Sequence, residues 1–199
     1  LALDEALAVV GIDGARVGEE LKRIGYAGDA EPATLHPRAF LELHVEQGPV
    51  LEREGTTIGA VTGVQGISWV EYTVTGVSNH AGTTPMAMRC DAGLVAAKGI
   101  VAARDVAARL GGSQVATVGA LRFEPGLVNV VPETAVFTVD LRNTDETRLQ
   151  EAEELVGHAI QEAARAEGAT VASRTLARFE PVAFHESVIS LVEDCAADL

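Results

Sequence analysis

Four stretches of the chain carry side chains able to do chemistry. In Leu41–Pro49, alternation puts Leu41, Leu43 and Val45 on one side of an expected strand and Glu42, His44 and Glu46 on the other. Gly48-Pro49 stops that strand and leaves the Gln47 carboxamide at its tip. An imidazole between carboxylates at a strand end suits a metal or substrate site, although a lone His beside Glu is more often a solvated surface residue. In Gly76–Met86, His80 sits among small residues with a helix start just beyond. Such a loop can offer an imidazole and backbone N–H groups to a developing oxyanion. It can equally be a capped turn with a solvent-facing His. Asn129 is flanked by valines and bracketed by Pro125 and Pro132. Its carboxamide could hold a carboxylate or an amide, or simply form a turn. Arg142 closes an expected strand, where its guanidinium could capture a carboxylate in bidentate fashion or pair with Asp140 or Asp145 on the surface.

Other candidates are weaker. The chain has no Gly-x-Ser-x-Gly elbow, Walker loop, dinucleotide fingerprint or His-Glu-x-x-His. Cys90 reads as core within an Ala-rich helix, His158 as surface and His36 as a loop residue, while His185 is unplaced in the tail.

The elements that must position these residues follow from periodicity. Residues 3–10 and 14–25 read as short helices, and Ile58–Val61 as a short buried strand. A boundary falls near Gly66. Beyond it come a strand at Trp69–Thr75, a helix from about Pro85 to Leu110 capped by Thr84, and strands at Val115–Phe123 and Ala135–Arg142. A helix follows, with Leu149, Ala152, Leu155, Val156, Ala159, Ile160 and Ala163 on one face, started by Thr144 and closed by Gly168. A strand at about Thr170–Leu176 ends the set. The order is βαββαβ, a ferredoxin-like arrangement with both helices on one sheet face and the other face open.

Composition narrows the partners. A net charge of −14 argues against nucleic acid and against an anionic membrane surface, and no apolar run approaches the ~20 residues that span a bilayer. Leu1–Val10 carries Asp4 and Glu5 without a basic start, so it does not read as a secretory signal. Two cysteines form no framework, which suits a reducing cytoplasm. Both ends of the chain read as lying within a helix.

Taken together, Leu-Glu-Leu-His-Val-Glu-Gln-Gly-Pro-Val-Leu-Glu (41–52), Asn-His-Ala-Gly-Thr-Thr-Pro-Met (79–86), Val-Asn-Val-Val-Pro (128–132) and Phe-Thr-Val-Asp-Leu-Arg (137–142) resemble the ordered signatures of the hydantoinase/carbamoylase amidases, part of the M20 group of two-metal aminoacylases and peptidases. The resemblance covers nearly the whole chain. It implies an α/β protein: residues 1–66 as part of a metal-binding catalytic domain, 67–178 as a ferredoxin-like lid and dimerisation domain, and 179–199 as the start of a return to the catalytic domain. By the same resemblance, His44 is a metal ligand, Gln47 touches substrate, His80 stabilises the tetrahedral oxyanion and Asn129 and Arg142 hold the substrate carboxylate. Two divalent ions (zinc, manganese, cobalt or nickel), a ureido acid substrate and a homodimer are implied too.

That chemistry suits the residues, because a ureido carbonyl is a poor electrophile that needs Lewis-acid polarisation, an activated water and a general base. The chain departs from the pattern in one respect. It lacks the other metal ligands and the Glu pair that supplies the base, whereas a catalytic zinc takes about three protein ligands. The expectation is therefore a metal-dependent hydrolase of N-carbamoyl-L-amino acids or related ureido acids, inactive as this chain alone. The alternatives are an M20 aminoacylase or dipeptidase, and a non-catalytic ferredoxin-like dimerisation module.

Overall fold

The computed structural model describes residues 2–11, 13–30, 32, 34 and 36–197. The chain forms two compact units, residues 1–48 and 49–199.

The first unit holds α1 (Leu3–Ala8) and α2 (Val17–Arg23), shorter than the periodicity suggests, and a bridge between Val10 and Arg16 closes the turn between them. The strand expected at Leu41–Gln47 does not form. A strand exists only where a neighbour accepts its ladder, and among the described residues none forms a β-ladder with this stretch. Its apolar side is correspondingly bare, with Leu43 99% exposed.

The second unit begins with α3 (Val50–Glu54) and continues with β1 (Gly63–Val64), β2 (Gly66–Thr75) and β3 (Asn79–His80). A single 3₁₀ turn at Met86–Met88 precedes α4 (Ala92–Leu110). Then come β4 (Val115–Thr117), β5 (Leu121–Glu124), β6 (Val130–Val131), β7 (Thr134–Asn143), α5 (Glu146–Glu167), β8 (Thr170–Phe179), β9 (Val182–Ala183) and α6 (Glu186–Ala197).

The main sheet has the order β4-β7-β2-β8, with β5 also on β7 and every pairing antiparallel. With α4 and α5 inserted, this is the βαββαβ arrangement. Strict alternation along β7 sends Ala135, Phe137, Val139 and Leu141 inward, all at most 3% exposed. They meet Val95, Ala96 and Ala103 of α4 and Leu149, Ala152, Val156 and Ile160 of α5. Alanines on the helices let them approach the sheet closely, and Phe137 stacks on Tyr72 of β2 with ring centroids 5.5 Å apart. Fully burying a side chain such as Phe137 or Leu149 contributes about 1.5–3 kcal/mol. The opposite sheet face carries Trp69, Glu71, Asp140, Arg142 and Arg174.

Local chemistry moved several boundaries. The helix expected from Pro85 starts at Ala92 instead, because the Asp91 carboxylate accepts from Gly93 and Leu94 N–H and so supplies the cap. Cys90 lies outside that helix, half-buried and bridged to Val77 rather than in the core. Likewise Asp145, accepting from Arg148 N–H, caps α5 in place of Thr144, while Gly168 closes it in the left-handed conformation as expected. The strand expected at Val115–Phe123 is two pieces, offset by one residue against β7 across Val118–Ala120. Ile58–Val61 makes no ladder; pairing starts at Gly63, opposite Ala183. β8 runs three residues beyond Leu176 and bulges there, since Trp69 pairs with Ala177 but Val70 with Thr175.

Candidate active site

β2 ends at Thr75 and β7 begins at Thr134, and the two chains continue side by side past that point. Gly76 N–H donates to the Glu133 carbonyl, and β3 then pairs with β6, placing His80 opposite Val130 and Asn79 opposite Val131. Gly76 is required there, since a Cβ would stand 2.3 Å from the Cys90 carbonyl oxygen. Ala81 N–H donates to the Asn129 carbonyl at 2.9 Å. The His80 loop and the Asn129 loop are thus zipped together, which spacing alone did not establish.

His80 is exposed and its ring is oriented by its own loop. Nδ1 accepts from Gly82 N–H at 3.0 Å and from Thr83 N–H at 3.2 Å. An Nδ1 that accepts twice holds no hydrogen, so in the neutral ring the hydrogen resides on Nε2, the outward nitrogen. That is the arrangement a hydrogen-bond donor to an oxyanion needs. In the chain that follows His80 and in the Asn129 loop, Met86, Met88, Leu127 and Val128 are largely exposed.

Arg142 lies at the other end of β7. Eight residue steps separate it from Thr134, roughly 27 Å at ~3.4 Å per residue. The structure therefore brings His80 and Asn129 together but leaves Arg142 apart from them within one chain. Its guanidinium takes Asp140 in bidentate fashion, Nε to Oδ1 at 3.0 Å and Nη2 to Oδ2 at 2.9 Å, and lies 5.9 Å from the centre of the Trp69 ring. The hydrogen bond to Asp140 raises the Arg142 pKa further, so the group stays cationic. Behind it, Gln114 Nε2 donates to the Arg142 carbonyl at 3.1 Å. The fully buried Asn143 donates to Gln114 Oε1 at 2.9 Å and accepts from Ser113 Oγ and Asp145 N–H. This buried polar group ties the α4–β4 turn to the β7–α5 turn, and the sequence reading missed it.

In the first unit, His44 and Gln47 are both exposed. The Val45 carbonyl, which can only accept, lies 2.5 Å from His44 Nδ1, so Nδ1 donates and Nε2 keeps its lone pair, as a metal-ligating imidazole requires. Gln47 takes a positive φ of 54°, uncommon for a residue with a Cβ. The donor set stops there: among the described residues no group of three or more His, Cys, Asp or Glu side chains could hold an ion. These residues do not form a complete two-metal site by themselves.

Cys90 is a poor nucleophile, since burial and the neighbouring Glu167 and Asp91 carboxylates push its thiol pKa up. His158 is exposed on α5, and His185 caps α6, its Nδ1 accepting from Ser187. Among the described residues no helix is long and apolar enough to cross a membrane.

Comparison with known proteins places these loops in context. The family model described as a peptidase dimerisation domain, of M20 type, matches residues 62–167. An N-carbamoyl-L-amino-acid amidohydrolase of Rhizobium meliloti is 36% identical over 197 residues, covering 99% of this chain and 47% of that protein. An allantoate amidohydrolase of Escherichia coli is 38% identical over 135 residues, covering 67% of this chain and 33% of the relative. The crystal structure of a hydantoinase/carbamoylase family amidase from Burkholderia multivorans superposes with a TM-score of 0.87 at 37% identity, over 100% of this chain and 48% of the other. The chain spans about half the length of such relatives or less.

Proposed function

The chain belongs to the hydantoinase/carbamoylase-type amidases of the M20 group, and on that premise we propose that it serves metal-dependent hydrolysis of the ureido C–N bond of linear N-carbamoyl-L-amino acids or related ureido acids. Residues 1–66 contribute to the catalytic domain, 67–178 form the lid and dimerisation domain, and 179–199 begin the return. His80 donates from Nε2 to the oxyanion of the tetrahedral intermediate. Asn129 and Arg142 hold the substrate carboxylate, and Gln47 contacts the substrate from the tip of the 41–47 stretch. His44 is one ligand in a two-ion site for zinc, manganese, cobalt or nickel. The complete enzyme is a cytoplasmic homodimer.

The observation that carries the reading is the His80 ring, with Nδ1 occupied by two backbone N–H groups and a hydrogen left on Nε2, in a loop whose Ala81 N–H is bonded to the Asn129 carbonyl. A preorganised donor of this kind is worth about 10²–10³ in kcat. The length of β7 supports a further point: Asn129 and Arg142 of one copy do not reach the same small carboxylate, so a homodimer in which two copies contribute is the economical arrangement.

The test is ammonia release by the full-length protein, with and without added divalent metal, across N-carbamoyl-L-amino acids, allantoate and N-carbamoyl-β-alanine, with amine release from a dipeptide in parallel. Metal-dependent turnover of a ureido substrate is expected. Turnover of the dipeptide alone would move the protein to the aminoacylase and peptidase chemistry. Silence from a folded dimer would leave a dimerisation module.

A further inference from the structure

We propose that Arg89 is the positioning residue of the His80 loop, its guanidinium holding the peptide unit that sets the hydrogen of the imidazole on Nε2. Arg89 is half-buried just before α4, where sequence periodicity reads as one more helical turn. Its Nη2 donates to the Ala81 carbonyl at 2.6 Å and its Nε to the Thr84 carbonyl at 3.1 Å, so the fork spans the turn that follows His80. Among the described residues Arg89 forms no ion pair with a carboxylate; its hydrogen bonds go to backbone.

The link to the imidazole is a single planar peptide. The Ala81 carbonyl and the Gly82 N–H belong to one peptide unit and point in opposite directions from it. The carbonyl is held by Arg89, and the N–H on the other side donates to His80 Nδ1 at 3.0 Å. Fixing one end fixes the other. A cation on the carbonyl also polarises the unit and strengthens the N–H as a donor. Gly82 makes such a restraint necessary, because a residue without a Cβ lets the peptide before it rotate at little cost. Gly82 is nonetheless suited to the position, since a Cβ would stand 3.2 Å from His80 Cε1. Were the unit to flip, a carbonyl oxygen would face Nδ1 in place of the shorter of its two donors, leaving only the Thr83 N–H at 3.2 Å to hold the hydrogen on Nε2. The tautomer balance would move toward a hydrogen on Nδ1, which leaves Nε2 as an acceptor, the wrong polarity for an oxyanion.

The consequence for turnover rests on the amidohydrolase reading; the consequence for the imidazole does not. The experiment is ¹⁵N spectroscopy of histidine-labelled full-length enzyme at about pH 8.5, where an ordinary imidazole is neutral, on wild type, Arg89→Gln and Arg89→Lys, with His80 assigned through His80→Asn. Wild type should show a hydrogen-free Nδ1 and a hydrogen-bearing Nε2 at His80, and both Arg89 variants a shift toward the other tautomer. With a substrate that is turned over, kcat should fall ~10²-fold with KM changed less than about threefold, and guanidinium in the buffer should restore part of the Arg89→Gln rate. An unchanged His80 tautomer in a folded Arg89 variant overturns the proposal. If Arg89→Gln does not fold, Arg89→Lys, which keeps the charge but not the fork, decides it. A His80→Asn enzyme with undiminished kcat would remove the oxyanion role of His80, while the spectra would still judge Arg89.

Discussion

Gly99 lies in the middle of α4, buried against the sheet, and replacing it with Ala sets two known effects against each other. In an isolated helix the change stabilises by about 1 kcal/mol. Here the added Cβ would stand 3.0 Å from Phe137 Cζ, 3.3 Å from Phe137 Cε2 and 3.1 Å from Ile160 Cγ1, where carbon atoms rest at about 3.5–4.0 Å. Neither neighbour can yield easily: both are fully buried, and Phe137 is already stacked on Tyr72. Overpacking costs about 1–3 kcal/mol, and three short contacts to two immobile side chains point to the upper end. The net expectation is a loss of about 1–2 kcal/mol, or a melting point lower by roughly 2–8 °C for a protein of this size or larger. Gly157 of α5 is the control, because a Cβ there meets only the Tyr72 hydroxyl, at 3.8 Å. Gly157→Ala should therefore stabilise by about 0.5–1 kcal/mol. Paired thermal melts of the two variants give the answer. Equal stabilisation by both would refute the claim that α4 is pressed onto Phe137 at Gly99. A double-mutant cycle with Phe137→Leu, which removes the Cζ and Cε2 atoms nearest the added Cβ, should recover part of the Gly99→Ala loss if the contact is its cause.

Three other expectations bear on the site and its frame. Arg142→Ala should raise the KM for carboxylate-bearing substrates about 10–100-fold with kcat little changed, matching a charged hydrogen bond of about 1.5–3 kcal/mol; steady-state kinetics showing an unchanged KM would remove its substrate role. Asn143→Ala leaves Gln114 and the Asp145 N–H without their buried partner and should lower unfolding stability in urea by about 3 kcal/mol. Hydrogen bonding to Arg178 holds the Glu146 carboxyl below its ordinary pKa. Its stabilisation is then present above about pH 4.3, the ordinary glutamate value, and fades as pH falls through the lowered one. Glu146→Gln should flatten that acid-side loss in a melt-versus-pH series, and an unchanged slope would count against the pair.

What the sequence made legible was whatever local periodicity decides. The inward set Ala135, Phe137, Val139 and Leu141 and the α5 stripe from Leu149 to Ala163 stand as read, because burial on one face imposes the period directly. The 41–47 stretch has equally clean alternation and forms no strand, since alternation states which side faces inward but not whether a partner exists. Caps were misjudged, by one residue at α5 and by seven at α4. Thr84 and Thr144 are good candidates by type, yet Asp91 and Asp145 have the carboxylates in reach of the free N–H groups. Of the candidate site, the residue types at His80, Asn129 and Arg142 were visible, but their mutual placement was not. It depends on β7 running straight for ten residues, which carries Arg142 away from Asn129. Arg89 was hidden for another reason. Its partners are backbone carbonyls, and no sequence pattern announces those.

β1 and β9 are only two residues each, but they lay Gly63 and Val64 against Ala183 and Val182, and Phe184 N–H reaches back to the Thr62 carbonyl. Paired residues of antiparallel strands sit about 5 Å apart, so the polypeptide leaves this domain almost where it arrived. Everything between is a loop already closed by its own neck. Cutting it out at Thr62 and Phe184 and sealing the gap with a residue or two would hardly stretch the flanking chain, and grafting it onto another surface hairpin would add little closure entropy. The same neck makes the domain a transplantable cassette, and pulling on its two flanks would load a clasp of a few hydrogen bonds before any force reached the sheet.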